Sequence, residues 1–397
     1  MLKFGKERNM EKSNGRLLSL DALRGADMIF IMGFAGAVVA FCDFCGWGKT
    51  CWLAMQMRHV PWHGIQHHDT IFPLFLFLAG VSWPFSYAKQ VEAGTPTLKI
   101  VLRIFRRVFL LFLIGLMWSG LFTFNWRMYR WDSVLALIGI CWGAAALLSI
   151  GVRSFRARFI AAVSILVGYW LMLLVFRAPD AAALLSSTDP AVAKKVAEYA
   201  AFDTDNFSFT GNIVGWFDRA FVPGRLHEGI FDPDGVLCKF TGMVTALLGV
   251  FAGELLRRRD ISGNRKALIL FVAGAVSLVA CLVWSPWCPV NKKIWTPTFV
   301  LAAGAYSYFS LAVFYWVIDV RGWKRWAFFF QVIGMNAITI YILRRVIPMR
   351  HVSEFFFKGV ASWGESAWAA LMLSFGEVIV GWLILWFLYR KKTFLKV

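Results

Sequence analysis

Four of the chain's six histidines lie within ten residues, at positions 59, 63, 67 and 68, and Asp69 follows directly. A mostly apolar run begins at residue 70. Histidine exchanges protons near neutral pH, and a neighbouring carboxylate can orient an imidazole and stabilise its protonated form. Ionisable residues at the end of a membrane span are costly to maintain and usually mark functional sites. If this chain does chemistry, we expect it here.

The histidine spacing also resembles a metal-ligand set. His59, His63 and His67 would share one face of a helix, and His68 with Asp69 would complete a zinc-like group. The intervening proline and glycine argue against a regular helix, and no second half-motif follows. We therefore predict no metal.

The non-functional alternative is a loop of half-buried imidazole and aromatic side chains at the membrane interface, where Trp62 would be at home. Asp69 weakens that interpretation, because a carboxylate at the start of an apolar span can both cap the helix and orient an imidazole. We predict an acid–base pair of His59 and Asp69.

The composition is that of a membrane protein. Of 397 residues, 59% are hydrophobic and 16% are charged, against about 25% charged in soluble domains. The net charge is +19, but the basic residues form short runs between apolar segments, which is typical of membrane topology and not of a nucleic-acid-binding face. No glycine-rich phosphate loop is present.

The pattern predicts an all-α polytopic protein with about ten spans of roughly 20 residues each. The predicted spans are 18–41, 70–89, 99–119, 131–150, 157–176, 237–256, 266–284, 297–318, 326–346 and 366–389.

The basic residues predict the orientation. With the basic tail 1–17 in the cytoplasm, 25 of the 42 Lys and Arg residues fall in inner segments, as the positive-inside rule requires. Both termini are then cytoplasmic, and the histidines lie outside. We expect one transmembrane domain over 18–390, with a long outer loop at about 178–236 and a second tail at 391–397. The first tail lacks the features of a cleavable signal.

The seven cysteines do not define a disulfide framework. Cys42, Cys45, Cys51 and Cys288 fall in outer segments, where disulfides are permitted. Cys42 and Cys45 form a C-x-x-C motif without the soluble α/β context of a redox pair. We expect an incidental bridge or free thiols.

Other polar residues accompany the apolar spans. Asp21 and Arg24 lie one helical turn apart and predict an ion pair, and Asp27 lies one turn deeper, where a buried carboxylate needs a partner. Asn291 and Lys292 precede the eighth span, and Asn336 lies within the ninth, where an amide more often joins helices than catalyses.

The order of these motifs resembles the heparan-α-glucosaminide N-acetyltransferase family, which includes bacterial members. The motifs are S-L-D-A-L-R-G at 19–25, H-x-x-W-x-G at 59–64 with Asp69 and F-P at 72–73, P-G-R at 223–225, N-K at 291–292 and G-M-N at 334–336. The resemblance extends from about residue 16 to residue 341.

The resemblance implies a polytopic enzyme in a bacterial inner membrane. It would transfer acetyl from cytoplasmic acetyl-CoA to the amine of a glucosamine-type sugar or glycan on the periplasmic side. A homodimer is a further expectation. It implies His59 as the active histidine and Asp69 as its partner.

From these roles we expect further site residues. His59 would act as general base or as acyl carrier. Trp62, Asn291, Lys292 and Asn336 would contact substrate or the oxyanion. Basic side chains at the inner ends of spans would bind the CoA phosphates; these are Arg24, Arg103, Arg106 and Arg107.

The residues are also compatible with a different class of protein. A proton-coupled transporter could use the His/Asp cluster as a proton relay. Transport favours ionisable groups at the middle of the membrane, whereas this cluster is predicted at its outer face.

Overall fold

A computed structural model describes residues 17–202 and 205–395. Within these ranges the fold is helical, and the extended pairs are two isolated bridges. The all-α prediction is confirmed. We number the longer helices α1 (Leu18–Phe44), α2 (His67–Glu92), α3 (Thr97–Trp118), α4 (Val134–Gly151), α5 (Phe155–Val175), α6 (Cys238–Arg257), α7 (Gly263–Trp284), α8 (Pro297–Val320), α9 (Ala327–Gly334), α10 (Ala337–Val346), α11 (Met349–Ala361) and α12 (Ser366–Arg390).

The helices confirm a polytopic membrane protein. In the described part of the chain, eight helices are long and apolar enough to cross a bilayer, or nine if α9 and α10 form one bent span. The predicted span 99–119 is also a helix, α3, but it carries four basic residues. Every predicted span thus coincides with a helix or a helix pair.

Helix α2 lies at the centre of the bundle and packs closely against α6. A Cβ atom at Gly249 or Gly253 of α6 would collide with backbone carbonyls of α2, those of Phe77 and Val81. Small residues four positions apart let two helix backbones approach closely. In a bilayer the hydrophobic effect does not drive helices together, so such close packing is a main source of their association. The contact fixes the direction of α2, whose first turn holds Asp69.

Two of the predicted spans are interrupted. Helix α1 contains a π-helical turn over Phe30–Phe34, in which Gly33 adopts a φ of 135°. The predicted span 326–346 is bent by 66° between α9 and α10, and Asn336 lies at the bend. Unlike a straight span, each break leaves polar backbone inside the bundle, which membrane proteins tolerate where the backbone is buried or lines a cavity.

The predicted outer loop contains short helices of its own, Ala181–Leu185, Pro190–Tyr199 and Ile213–Phe221. The N-terminal tail is predicted to be cytoplasmic from its basic residues. These residues, from Lys3 to Arg16, lie outside the described part of the chain, and so do the last two residues of the C-terminal tail. Domain boundaries and sidedness stay predictions.

Candidate active site

The first turn of α2 brings Asp69 to His59. Asp69 Oδ1 lies 2.7 Å from His59 Nδ1, and Oδ2 accepts backbone hydrogen bonds from Gln66 at 3.1 Å and Val60 at 3.3 Å. Three donors thus hold a carboxylate that is 1% exposed. His59 itself is 53% exposed. With Nδ1–H donating to Asp69, the Nε2 lone pair is available to a substrate.

Lys292 completes the group from a distant part of the chain. Its Nζ lies 3.3 Å from Asp69 Oδ1 and 3.1 Å from His59 Nδ1. In the tautomer that carries the proton on Nδ1, His59 donates a hydrogen bond to Asp69, and the ammonium of Lys292 donates to the same carboxylate. Burial lowers the pKa of Lys292, and the Lys293 charge adds to this, while Asp69 and Asp234 oppose the shift. The site is therefore a desolvated Asp–Lys pair beside an exposed imidazole.

Asn291 organises the loop that presents Lys292. Its side-chain Oδ1 accepts hydrogen bonds from the backbone of Lys293 at 2.8 Å and Ile294 at 3.2 Å. Its backbone N–H donates to Thr296 Oγ1 at 2.9 Å. The side chain is fully buried, and its amide nitrogen lies 3.4 Å from His63 Nδ1, so the geometry suits positioning of the loop.

Trp62 anchors the other side of the site. It is fully buried, and its indole N–H donates to the Phe207 carbonyl at 2.8 Å. The rings of Tyr199, Phe209 and Phe231 surround it edge-on, with centroids 5.4 to 5.7 Å away. The tryptophan thus joins the histidine loop to the 178–236 segment and presents no open face to a ligand.

The other three histidines of the cluster each have different neighbours. His63 packs against Phe202 at a centroid distance of 5.8 Å; burial lowers its pKa, against the opposing charge of Asp205. His67 Nε2 lies 3.1 Å from the Tyr306 hydroxyl, and the His68 ring lies 4.6 Å from that of His59.

Among the described residues, no group of three His, Cys, Asp or Glu side chains converges as a metal site. Within the same ranges the seven cysteines are free thiols, including Cys42, Cys45, Cys51 and Cys288.

A cavity of about 1150 Å³ opens at the opposite end of α2. Its lining includes two acidic residues, Asp21 and Glu92, and seven basic ones, of which four are exposed and form the mouth. The exposed residues are Lys89, Arg257, Arg258 and Arg259, and the others are Arg24, Arg107 and Lys266. The cavity extends inward to Phe75 of α2, which is six residues, or about 9 Å along the helix, from Asp69. It therefore runs through the bundle from a basic end toward the histidine end.

Two of the four predicted phosphate-binding arginines line this cavity. Arg24 donates to Ser82 at 2.9 Å and pairs with Asp21 at 3.2 Å, and the Arg107 guanidinium lies 4.1 Å from the centre of the Trp142 ring. Arg103 and Arg106 are exposed and do not line the cavity. Arg257 to Arg259 also line the cavity and were not among the predicted phosphate-binding residues, although a run of three arginines at the end of a span is visible in the sequence.

Asn336 lies at the bend between cavity-lining neighbours, Met335 and Ala337. It is 1% exposed, and its Nδ2 has no hydrogen-bond partner among the described residues. A buried amide donor without a partner is costly, and its place directly behind the cavity lining makes it a candidate for contact with a polar ligand.

A buried carboxylate network joins the 178–236 segment to the loop before α4, and the sequence did not predict it. Arg130 bonds both oxygens of Asp232 at 2.6 Å and Asp234 at 2.6 Å. Burial and the charge of Asp132 raise the pKa of Asp218 to about 7, against backbone hydrogen bonds from Val236 and Asp232. These residues are scattered from 130 to 234, so no local spacing signals the network.

The chain matches known proteins along most of its length. Residues 16–171 match a family described as "Domain of unknown function (DUF5009)". The chain is 27% identical to human heparan-alpha-glucosaminide N-acetyltransferase over 431 aligned positions, which cover 96% of this chain and 60% of the human protein. The mouse protein of the same name is 26% identical, over 97% of this chain and 61% of that protein.

The fold and site define a polytopic helical membrane protein with a His–Asp–Lys group at one end of its central helix and a basic cavity at the other. The homology makes the chain a relative of the heparan-alpha-glucosaminide N-acetyltransferases. It spans about 60% of the length of these curated relatives.

Proposed function

We propose that this protein is a transmembrane N-acetyltransferase of a bacterial inner membrane. It moves acetyl from cytoplasmic acetyl-CoA to the amine of a glucosamine-type sugar or glycan on the periplasmic side. The observation that carries the proposal is the cavity, which has a basic mouth at one end of α2 and ends about 9 Å along that helix from Asp69. In this proposal a donor enters from the basic end, and its acetyl group covers the remaining distance between Phe75 and the imidazole.

The donor's charges match the cavity mouth. CoA carries phosphate groups, and guanidinium groups bind phosphate through paired, charge-assisted hydrogen bonds. Arg24, Arg107 and Arg257 to Arg259 provide that lining. The unpartnered amide of Asn336 lies next to Met335 and Ala337 of the cavity lining, where the long uncharged arm of CoA would pass and where the amide carbonyls of CoA need donors.

His59 Nε2 acts as general base in this proposal. The acceptor ammonium loses one proton to solvent before binding, and its second leaving proton passes to Nε2 as nitrogen attacks the thioester carbonyl. The N–C bond forms and the C–S bond breaks, and the departing CoA thiolate takes the proton from imidazolium. Asp69 holds Nδ1–H and stabilises the imidazolium, as the third member of a triad does.

Lys292 is the cation of the site. As negative charge develops on the thioester oxygen, an ammonium held in a desolvated position lowers the energy of that state. Asn291 and Trp62 are positioning residues. Asn291 holds the loop that carries Lys292, and Trp62 holds the loop that carries His59.

An alternative order uses the same residues. Nε2 attacks the thioester first and carries acetyl as an acyl-imidazole, with CoA released before the amine attacks. Labelled acetyl retained on the protein without acceptor would identify this order.

The test uses purified protein in detergent with acetyl-CoA and glucosamine, and it follows release of the CoA thiol. We expect release in wild type and a loss of about 10²–10⁴-fold in His59→Ala, the range for removal of a general base. His63→Ala is the matched control, since it is a histidine of the same loop that does not contact Asp69. Acetyl-CoA binding without release for any amino sugar would contradict the proposal and favour a transporter.

A further inference from the structure

A second cavity, of about 510 Å³, lies on the other side of the histidine site. It is lined by the π-helical part of α1, by α12 and by the start of α2. The lining residues used below are Gly33, Gly36, Met57, His68, Arg344 and Glu377. Its volume is in the range of sites for small organic ligands.

Ionisable groups line this cavity inside the bundle. Glu377 lies near the middle of the 25-residue helix α12, a costly position for a carboxylate that usually signals function. Arg344 lies 3.7 Å from it, and Arg350 lies 3.5 Å from it. Arg344 and Glu377 are 34% and 16% exposed. The pair is therefore accessible from the cavity, unlike a sealed structural ion pair.

The break in α1 forms part of this wall. Gly33 adopts a φ of 135°, in the region that favours glycine, and its backbone faces the Glu377 side chain. The carbonyl of Ile31 accepts a hydrogen bond from Arg344. A π-turn in an otherwise regular span is frequent at functional sites, and here it places a backbone acceptor beside the two charged groups.

The cavity extends to residues that neighbour His59. His68 lines it, and the His68 ring lies 4.6 Å from the ring of His59. Met57, two residues before His59, lines it as well. The first cavity approaches the N-terminal end of α2 from the opposite direction and extends to Phe75, about 9 Å along the helix from Asp69. The two cavities thus lie on either side of the His59 region, an arrangement that suits transfer between two substrates.

We infer that the second cavity binds the acceptor, a polyhydroxylated amine of one or two sugar rings. Glu377 accepts hydrogen bonds from its hydroxyls, Arg344 donates to them, and the amine points past His68 to His59. This inference rests on the proposed acetyltransferase function and adds the acceptor site to it.

The test separates binding of the acceptor from binding of the donor. In Glu377→Gln we expect the KM for glucosamine to rise at least about tenfold, with the KM for acetyl-CoA unchanged. Glu354→Gln is the matched control, because Glu354 also pairs with Arg350, at 3.3 Å, but lies outside the cavity. A glucosamine tetramer run in parallel distinguishes a free sugar from the terminal unit of a glycan.

A second variant covers the case in which Glu377→Gln fails to fold. A Cβ at Gly36 meets no atom within 4 Å, so Gly36→Leu fills the cavity from its wall, and we expect the same rise in acceptor KM. Gly359→Leu, at an equally open glycine of α11, is its control. Unchanged acceptor KM in Gly36→Leu would overturn the inference while leaving the proposed function intact.

Binding is measured independently of turnover. Thermal unfolding with and without glucosamine should show stabilisation of wild type that Gly36→Leu lacks. If wild type transfers no acetyl, the function fails, yet this measurement still decides the site: stabilisation lost in Gly36→Leu supports it, and no stabilisation of wild type overturns it.

Discussion

Asp69 and Lys292 are 223 residues apart in sequence, and their charged groups lie 3.3 Å apart. The contact joins the first turn of α2 to the loop before α8, and it places a cation beside the imidazole that Asp69 orients. Removing the lysine leaves a buried carboxylate with less compensation, and removing the aspartate leaves a buried ammonium without its partner. The predictions below begin from this pair.

Lys292→Met should lower kcat by about 10²–10³-fold, the range for loss of one oxyanion-stabilising donor. Lys293→Met is the comparison, since Lys293 bonds Glu228 at 2.9 Å and the Tyr199 hydroxyl at 2.6 Å, away from His59. It should lower the melting temperature more than kcat. Thiol-release kinetics and thermal unfolding of both variants check this, and equal kcat losses would remove the special role of Lys292.

Arg107→Gln should raise the KM for acetyl-CoA by roughly 10–100-fold, because a hydrogen bond to a charged group contributes about 1.5–3 kcal/mol. Arg106→Gln, one residue away but exposed and outside the cavity, should leave that KM unchanged. Initial rates at varied acetyl-CoA measure both. A similar rise in the two variants would indicate general surface electrostatics instead of a built phosphate site.

The raised pKa of Asp218 implies that the free energy of unfolding depends on pH. Burial and the Asp132 charge raise its pKa from 3.8 to about 7 in the folded protein. Between those values the folded state binds more protons than the unfolded state, so stability falls as pH rises and is lowest, for this group, above about pH 7. We expect wild type to melt at a higher temperature at pH 5 than at pH 7.5.

Asp218→Asn should reduce that pH difference, because the amide does not ionise. Glu198→Gln, at an exposed ion pair with Lys195, should retain it. Tryptophan fluorescence during heating at several pH values measures the difference. A full pH difference in Asp218→Asn would assign it to other groups.

Trp62→Ala should destabilise the protein by about 3–5 kcal/mol, the usual cost of truncating a large buried aromatic side chain. The histidine loop would lose its attachment to the 178–236 segment, so activity should fall with stability. Trp47→Ala, at a side chain that is 58% exposed, should change little. Thermal unfolding checks both, and an unaffected melting temperature in Trp62→Ala would refute the anchoring role.

Much of the site near α2 could be predicted from the sequence because it is local. Asp69 follows His59 by ten residues and begins a helix, so its capping role and its reach to the imidazole depend on nearby backbone. The Arg24–Asp21 pair is likewise one helical turn apart. Of the three α3 arginines predicted to bind phosphate, only Arg107 lines the cavity, since residue types along a helix do not reveal which face meets the cavity.

The apolar runs by themselves determined the helical class and the positions of the spans, because a bilayer requires about 20 apolar residues with internally paired backbone. The tertiary structure alone decided that Lys292 reaches Asp69, that α1 and α9–α10 break beside cavities, and that Glu377 faces Arg344. These relationships depend on which helix faces pack together, and that is set by close contacts between distant segments such as α2 and α6.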